Sequence, residues 1–462
     1  MWAHILTGIY TVFLIALFFG VTVFIHELGH FLVARRMGMV VDKFSIGLGP
    51  AIFKRKINGV VYQIAAIPFG GFVHLPQLDI SLESGSLAGE RKADFPRIAP
   101  WKKIPVLLAG VTGNMILAYL LAWVVFVAGK PAQPEEVNSI IGYVETNSTA
   151  YAAGIRPGDE ILSIDGRRVH DWMEIRFDSS LESQITVNVR SPSGVRDVKL
   201  STEETGLGFS AVPGMSPMTF RSVLFVEKGS PADKAGMKPG DMIVEADDVR
   251  LLSWGQLLDI VASHTDRPLA LKIERGGREI AMTMTPRFDE KVKRARVGIT
   301  WNYEYADRSM ITHPKPAAQI AYYSGTIFRF LKALVTPKQS GRAAQGVGGP
   351  ISVFWVFWMQ IQTGFMTALA FAVFFNVNLA VFNLLPYPIL DGGHVLLALF
   401  ECIRGRAANY RWVSAIWNFA ACLLIALVLF LTFRDVRMIH RVMAPEPMAA
   451  TNAPAAPTPA AP

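Results

Sequence analysis

Four long runs of apolar residues, each free of charged side chains, alternate with more polar segments along the chain. The first covers residues 5–25, about 32 Å of helix at about 1.5 Å per residue, which is enough to cross a bilayer. A longer uncharged stretch, residues 343–390, is interrupted at Gly364 and Pro386, so it holds one span, and residues 351–362 are predicted to form an elbow or surface helix. The predicted membrane-spanning helices are residues 5–25, 104–128, 365–385 and 412–433.

The composition is that of a membrane protein. Hydrophobic residues make up 51% of the 462 residues and charged residues 18%, with a mean hydropathy of +0.33, which excludes disordered and collagen-like chains. The net charge is +8, from 45 basic and 37 acidic residues. Basic residues are concentrated between the first two spans and just before the fourth, so these connections are predicted to be cytoplasmic and both termini external. Charge distributed in this way predicts no nucleic-acid partner.

The segment between the second and third spans repeats itself with an offset of 82 residues, from Ala153 to Ala235. Each copy begins Ala-Gly-x-x-Pro-Gly-Asp and continues through a strand-like run to a tryptophan, Trp172 or Trp254. The pattern predicts a short helix that ends at the glycine, a turn, and a buried strand. The second copy has Asp248 where the first has glycine, so its turn is expected to depart from the usual form.

The end of the first span carries His26-Glu27-Leu28-Gly29-His30. Residues four apart share one face of a helix, so both imidazoles reach one metal ion and Glu27 lies beside its open position. A zinc ion held in this way lowers the pKa of a bound water toward about 7, and a neighbouring glutamate takes the proton and gives it to a leaving amine. Ionisable groups at membrane depth are costly and usually functional, which argues against a chance match.

A catalytic zinc site needs a third protein ligand, and Asp391 is the preferred candidate. It ends the sequence Asn-Leu-Leu-Pro-Tyr-Pro-Ile-Leu-Asp, which begins at Asn383 and lies at the membrane level of His26 and His30 in the predicted topology. The prolines break the helix, which frees backbone groups that only a protein- or water-lined cavity tolerates. His394 is the other candidate, as a ligand or as a partner of one.

These two motifs, in order on the first and third spans, resemble the site-2 protease family of intramembrane zinc metalloproteases. The resemblance covers nearly the whole chain and extends to the bacterial members with four spans and tandem PDZ domains. It implies that His26, His30 and Asp391 bind Zn2+, that Glu27 is the catalytic base, and that Asn383 holds the substrate backbone. A helix-packing amide is the alternative role for Asn383.

The two repeat copies resemble bacterial PDZ domains, in which an extended peptide adds as a strand beside a helix. This resemblance implies an external tandem that binds the C-termini of trimmed substrates or acts as a size filter against untrimmed ones. Structural spacers that bind no peptide are the alternative.

Between the first two spans, two strand-like runs meet at Asn58-Gly59, a pair that favours a type I′ hairpin. The run over residues 63–71 is apolar enough to enter the membrane. In the site-2 family such a β-loop lines the active site. An edge strand that includes Gly70 and Gly71 is therefore predicted to hold an unwound substrate segment by backbone hydrogen bonds.

The predicted fold is a polytopic α-helical membrane protein with four transmembrane helices, a membrane-associated β-hairpin or sheet, and two external PDZ-like α+β domains. Residues 316–336 have apolar side chains at helical spacing and are predicted to lie on the outer membrane surface or to pack within the external domain. The predicted segments are 1–129 for the first two spans, 130–215 and 216–288 for the PDZ-like domains, 289–350 for the linker, 351–443 for the last two spans, and 444–462 for a disordered Ala/Pro-rich tail.

The resemblance implies cleavage of single-span membrane proteins within the bilayer, in contact with membrane lipid. The expected substrates are a pre-trimmed anti-sigma factor in envelope-stress signalling and remnant signal peptides. The expected location is a bacterial inner membrane, with termini and PDZ-like domains periplasmic and the active site toward the cytoplasm. The alternatives are an inactive membrane-anchored PDZ scaffold, against which intact Glu27 and Asp391 argue, and a metal transporter, which would need polar residues along several spans.

Overall fold

The computed structural model describes residues 2–78, 98–132, 134–204, 210–219, 222–290, 294–301, 307–406 and 408–443, and the expected tail at 444–462 lies outside them. Its helices are α1 (Trp2–Arg36), α2 (Pro100–Ala128), α3 (Thr149–Ala152), α4 (Trp172–Leu181), α5 (Pro231–Lys234), α6 (Trp254–Ser263), α7 (Pro316–Val335), α8 (Ser340–Gln345), α9 (Pro350–Thr363), α10 (Phe365–Asn383), α11 (Asp391–Arg404) and α12 (Tyr410–Met443).

The strands of the same part of the chain are β1 (Lys43–Ile57), β2 (Val60–His74), β3 (Lys130–Ala132), β4 (Ile141–Val144), β5 (Glu160–Ile164), β6 (Arg167–Arg168), β7 (Gln184–Ser191), β8 (Gly194–Ser201), β9 (Glu203–Glu204), β10 (Ser210–Ala211), β11 (Met215–Pro217), β12 (Val223–Val226), β13 (Met242–Ala246), β14 (Val249–Arg250), β15 (Leu269–Arg275), β16 (Arg278–Met284), β17 (Arg287–Asp289), β18 (Arg294–Arg296), β19 (Ile299–Trp301) and β20 (Asp307–Thr312).

Four of the described helices are long and apolar enough to cross a membrane: α1, α2, α10 and α12. The first runs well past the expected end at residue 25, because nothing breaks the helix before Gly38, which adopts φ +79° and closes the last turn with Met39 N–H bonded to Ala34 O. The two histidines of the metal motif therefore lie within one continuous helix. α2 packs against α1, α10 and α11 and is the centre of the bundle.

α9, the expected elbow helix, packs against α1, α10 and α12 and buries Phe357 and Ile361. Its first turn is capped by Asp435 of α12, whose carboxylate accepts hydrogen bonds from Gly349 N (3.1 Å) and Ser352 N (2.8 Å). A carboxylate at the start of a helix satisfies free N–H groups and complements the helix dipole. This contact fixes the end of α12 to the rest of the bundle.

The β1–β2 hairpin is confirmed, with positive φ at Asn58 (+49°) and Gly59 (+86°). Both strands are bent, so that Phe44 pairs with Tyr62 and also with Val73. The hairpin therefore forms four short strands in the order 51–57, 60–65, 43–48 and 70–74. Residues 70–74 form an edge strand of this sheet, and the edge lies beside α1.

The 82-residue repeat corresponds to two small α/β domains. Their four-stranded sheets have equivalent orders, β6-β5-β7-β8 and β14-β13-β15-β16. Each buries an isoleucine of its central strand, Ile161 or Ile243. The turn of the second copy keeps its shape without glycine: Asp247 and Asp248 have φ +46° and +61°. The departure expected there is wrong, because aspartate tolerates the left-handed region better than most residues.

Strand pairing shows which strands each small domain contains. β11 pairs with β4, so the strands of the first small domain run from Ile141 to Pro217. β12 pairs with β19, so those of the second run from Val223 to Trp301. β3 pairs with β20 and joins the domains to the spans. The outer strands of each domain come from chain beyond its repeat, and the boundaries at 130, 215 and 288 stay predictions.

α7 connects the first small domain to the spans. Ile327 is buried in a cluster with Ala118 and Ala122 of α2 and Val373 of α10, so the apolar face expected on a membrane surface packs on helices. On the other side of α7, Arg329 donates to Asp178 Oδ1 of α4 at 3.3 Å. The position of the domain is thereby fixed relative to the bundle.

The stability of the first small domain is expected to depend on pH through the carboxyl group of Asp178. Burial raises the pKa of Asp178 to about 6, although Arg167 beside it acts in the opposite direction. The folded state therefore binds the proton more tightly than the unfolded chain, and stability falls as pH rises from about 4 to about 6. Asp178→Asn is expected to flatten this dependence in the hydrogen-exchange protection of α4, corrected for intrinsic rates. Asp197→Asn, at an exposed site of the same domain, should not, and equal pH profiles for both variants would contradict the assignment.

Candidate metal centre

Three side chains from two distant parts of the chain come together between α1 and α11. His26 and His30 are one helical turn apart on α1, with their Nε2 atoms 3.2 Å from each other. Asp391, the first residue of α11, places Oδ2 3.3 Å from His26 Nε2 and 3.5 Å from His30 Nε2. Among the described residues, this is the group of three or more His, Cys, Asp or Glu side chains whose donor atoms all lie within 4.8 Å of one another.

The spacing of the three donors fits a tetrahedral zinc ion. Bonds of about 2.0–2.1 Å at tetrahedral angles place ligand atoms about 3.3–3.4 Å apart. Asp391 Oδ2 is also buried with no hydrogen-bond donor. Three electron-rich atoms facing one another without hydrogen repel unless a cation lies between them, so these residues fit the metal that the sequence predicts.

The other ring nitrogens of both histidines have partners that set the tautomer. His30 Nδ1 lies 2.7 Å from Val106 O, so it donates to this carbonyl and Nε2 keeps its lone pair. His26 Nδ1 lies 3.3 Å from the Asn114 side-chain amide, whose oxygen otherwise has no partner although it is buried. Amide oxygen and nitrogen are interchangeable by rotation, and an oxygen facing Nδ1–H satisfies both groups.

Asn114→Ala is expected to weaken zinc binding about 10- to 100-fold, because it removes the hydrogen bond that orients His26. Zinc affinity measured by competition with a chelator tests this. Thr112→Ala, an exposed position on the same helix whose hydroxyl bonds only to Leu108 O, should leave the affinity unchanged. An unchanged zinc affinity in Asn114→Ala would show that Asn114 does not orient His26.

Glu27 is held next to the ligands by the sheet. Its Oε2 accepts a hydrogen bond from Val73 N at 2.9 Å, on the edge strand. Gly71 lies on the same strand with no room for a side chain: a Cβ there would lie 2.8 Å from Ser45 O and 3.1 Å from Val23 Cγ1. The strand edge and the carboxylate of Glu27 therefore approach each other as closely as the backbone allows.

Two glycines allow α1 and α2 to cross at the metal ligands. A Cβ on Gly29 would overlap the carbonyl oxygen of Ala109, and one on Gly110 would overlap His30 Nε2 and lie 2.7 Å from His26 Cε1. The close approach brings Val106 and Asn114 within hydrogen-bond distance of the histidines. Sequence reasoning missed the role of Gly110, although the small residues beside it, Ala109 and Gly113, have the small-x-x-x-small spacing that signals close helix packing.

A family model described as Peptidase family M50 matches residues 13–427. The chain belongs to this family, the site-2 proteases. The resemblance found in the sequence is thus confirmed. The M50 chain is 31% identical over 451 residues to the Salmonella typhimurium protein named "Regulator of sigma-E protease RseP", covering 92% of this chain and 97% of that protein.

Two further comparisons have lower sequence identity. The M50 chain is 28% identical over 447 residues to a Vibrio cholerae protein named "Putative zinc metalloprotease", covering 92% of this chain and 97% of that one. A crystal structure of the PDZ domain of an SdrC-like protein from Listeria monocytogenes matches 18% of this chain and 85% of its own, at 22% identity and a TM-score of 0.16. This structural similarity is too low to establish a fold.

The other residues predicted for the site lie outside the group of three donor side chains. His394 does not join the cluster: its Nε2 accepts from Trp417 Nε1 at 3.4 Å. Asn383 ends α10, half-buried, at the start of the loop to Asp391. Gly70 has φ +94° and faces Leu48, one residue from the strand edge beside Glu27. The substrate-binding roles of Asn383, Gly70 and Gly71 stay predictions.

The loop that carries Asp391 is compact because of two further glycines. A Cβ on Gly392 would overlap Leu384 O, and one on Gly393 would overlap Tyr387 O. The Tyr387 hydroxyl donates to Ala420 O of α12 at 2.6 Å. The Asp-Gly-Gly sequence therefore closes the loop tightly enough to point Asp391 at α1.

Proposed function

We propose that this M50 chain is an intramembrane zinc metalloprotease that hydrolyses peptide bonds in the transmembrane segments of single-span membrane proteins. The observation that carries the proposal is the set of three donors, His26, His30 and Asp391, at tetrahedral zinc spacing beside Glu27. These donors lie on or between helices that are apolar enough to span a membrane.

The residues around the centre have distinct tasks in this mechanism. When bound, zinc supplies a Lewis acid that makes a water acidic near neutral pH. His26, His30 and Asp391 would hold the ion. Glu27 is placed to accept a proton from the attacking water and to give it to the amine of the cleaved bond. The Val73 N–H holds the Glu27 carboxylate in place for both transfers. Val106 and Asn114 keep the histidine tautomers that leave Nε2 available.

The substrate is bound by the edge strand at residues 70–74. Alternate residues of an edge strand direct their unpaired N–H and C=O groups outward, and an extended peptide pairs with such an edge. Gly71 keeps this edge next to Glu27. A transmembrane helix has its peptide bonds already paired, so it must unwind before it can pair here, and Asn383 and Gly70 are proposed to assist.

The relative named as a regulator of sigma-E protease supports the proposed substrate class. An anti-sigma factor trimmed by another protease is proposed as substrate, with remnant signal peptides as a second class. The two small domains are proposed to be periplasmic PDZ-like domains that bind trimmed C-termini or exclude untrimmed substrates. The location proposed is the bacterial inner membrane, with the metal centre toward the cytoplasm.

The test uses purified full-length protein in detergent and a tagged single-span substrate, with and without its external domain. Cleavage of the trimmed substrate is expected to stop after chelation and to return when zinc is added back. The untrimmed substrate should be cut more slowly. Zinc binding without cleavage of any single-span substrate would contradict a protease and favour an inactive membrane-anchored scaffold.

A further inference from the structure

A second site lies on the other side of α1 from the metal ligands. An apolar groove of about 340 Å³ lies along the contact between α1 and the β1–β2 sheet. Six side chains line most of it: Phe24, Leu28 and Phe31 from α1, and Phe44, Phe53 and Tyr62 from the sheet. Residues 24, 28 and 31 share one helix face, whereas residues 26 and 30 point about 200° away from residues 24 and 28 respectively. The groove is therefore distinct from the metal centre.

The groove is open on its outer side. Phe53 is 56% exposed and Ile64, which also lines it, is 49% exposed. From Phe24 to Phe31 it follows the C-terminal half of α1, which is apolar enough to cross a membrane, for about 10 Å. Large apolar side chains exposed at membrane depth contact hydrocarbon, so the space between them suits a hydrocarbon chain better than water.

The rim of the groove carries two arginines. The Arg35 guanidinium lies 5.7 Å from the centre of the Phe31 ring, and that ring is 6.1 Å from the Tyr62 ring. Arg55 pairs with Tyr62 across the sheet. It is two residues from Phe53 on the same strand, so the two side chains lie on the same face of the sheet. Both arginines are exposed, and both lie beside the end of the groove that Phe31 and Tyr62 form.

We propose that this groove binds an anionic phospholipid, with one acyl chain against the aromatic lining and the phosphate at the rim formed by Arg35 and Arg55. A guanidinium group can donate two parallel hydrogen bonds to the oxygens of one phosphate. Basic side chains at a membrane surface also attract anionic lipid. The bound chain lies along the contact between α1 and the sheet. The site does not depend on the proposed peptidase activity.

The test is photolabelling of the full-length protein in phosphatidylcholine nanodiscs that contain a trace of phosphatidylglycerol with a diazirine on its acyl chain. Labelled peptides are mapped by mass spectrometry. Labels are expected on the peptides that contain residues 24–31 and 44–64. Unlabelled phosphatidylglycerol should compete at least about fivefold better than added phosphatidylcholine, because only the former carries net charge.

Matched variants distinguish a specific lipid site from general attraction to the charged surface. Arg35→Gln with Arg55→Gln is expected to lower groove labelling about fivefold or more. Lys54→Gln with Lys56→Gln removes the same charge from the opposite face of the same strand and should leave it unchanged. Ile64→Trp fills the groove at an exposed position, so it should block labelling with both arginines intact.

Three outcomes would overturn the proposal. Equal competition by the two lipids would show that the rim does not select charge. Equal loss of labelling in the arginine and lysine variants would indicate diffuse attraction to the surface. Displacement of the label by a single-span substrate would assign the groove to a substrate side chain instead.

Discussion

Replacing Glu27 by Gln is expected to lower the rate of substrate cleavage by about 10²- to 10⁴-fold while zinc content stays at the wild-type level. Glutamine keeps the size of the side chain and still accepts the hydrogen bond that Val73 N donates to Oε2. It removes only the capacity to take up and release a proton. The metal ligands on either side, His26 and His30, are unchanged.

The measurement pairs zinc content, by elemental analysis of purified protein, with single-turnover cleavage of the trimmed substrate. Glu279→Gln, the same change at an exposed position of β16, serves as the control and should match the wild type in both. Wild-type cleavage by Glu27→Gln would show that another group carries the proton. Loss of zinc would instead give Glu27 a structural role at the centre.

Gly110→Ala is expected to lower zinc affinity by at least about 100-fold and to abolish cleavage, although no ligand is changed. The added methyl would overlap His30 Nε2 and lie 2.7 Å from His26 Cε1. The ring of His30 cannot turn away without breaking its hydrogen bond to Val106 O. α1 and α2 cannot separate without losing the packing of Gly29 on Ala109. Such overpacking costs about 1–3 kcal/mol of stability.

Zinc affinity and the thermal unfolding midpoint are measured for this variant beside Gly8→Ala. Gly8 is also a glycine within an apolar helix, but a Cβ there meets nothing within 4 Å. Gly8→Ala should therefore bind zinc normally and be as stable as the wild type or slightly more. Wild-type zinc affinity in Gly110→Ala would mean that the helices cross at a greater distance than the structure shows.

The local features of this protein could be predicted from its sequence alone. Apolar runs of membrane length predicted α10 to within two residues and α2 to within four, because the length and composition of a span depend on the bilayer and not on the rest of the fold. The Asn58-Gly59 turn was equally local, since both positions must adopt positive φ. The repeat predicted equivalent strands, β5 and β13, because the same turn chemistry recurs 82 residues later.

The tertiary structure decided which distant groups meet. Asp391 and His394 were both candidates for the third ligand, and the choice depended on how a loop closed by Gly392 and Gly393 points toward α1. The closeness of α1 and α2 at Gly110 depended likewise on two segments far apart in the chain. Periodicity and turn chemistry act over a few residues, whereas these contacts follow from the packing of whole helices, which the local pattern does not encode.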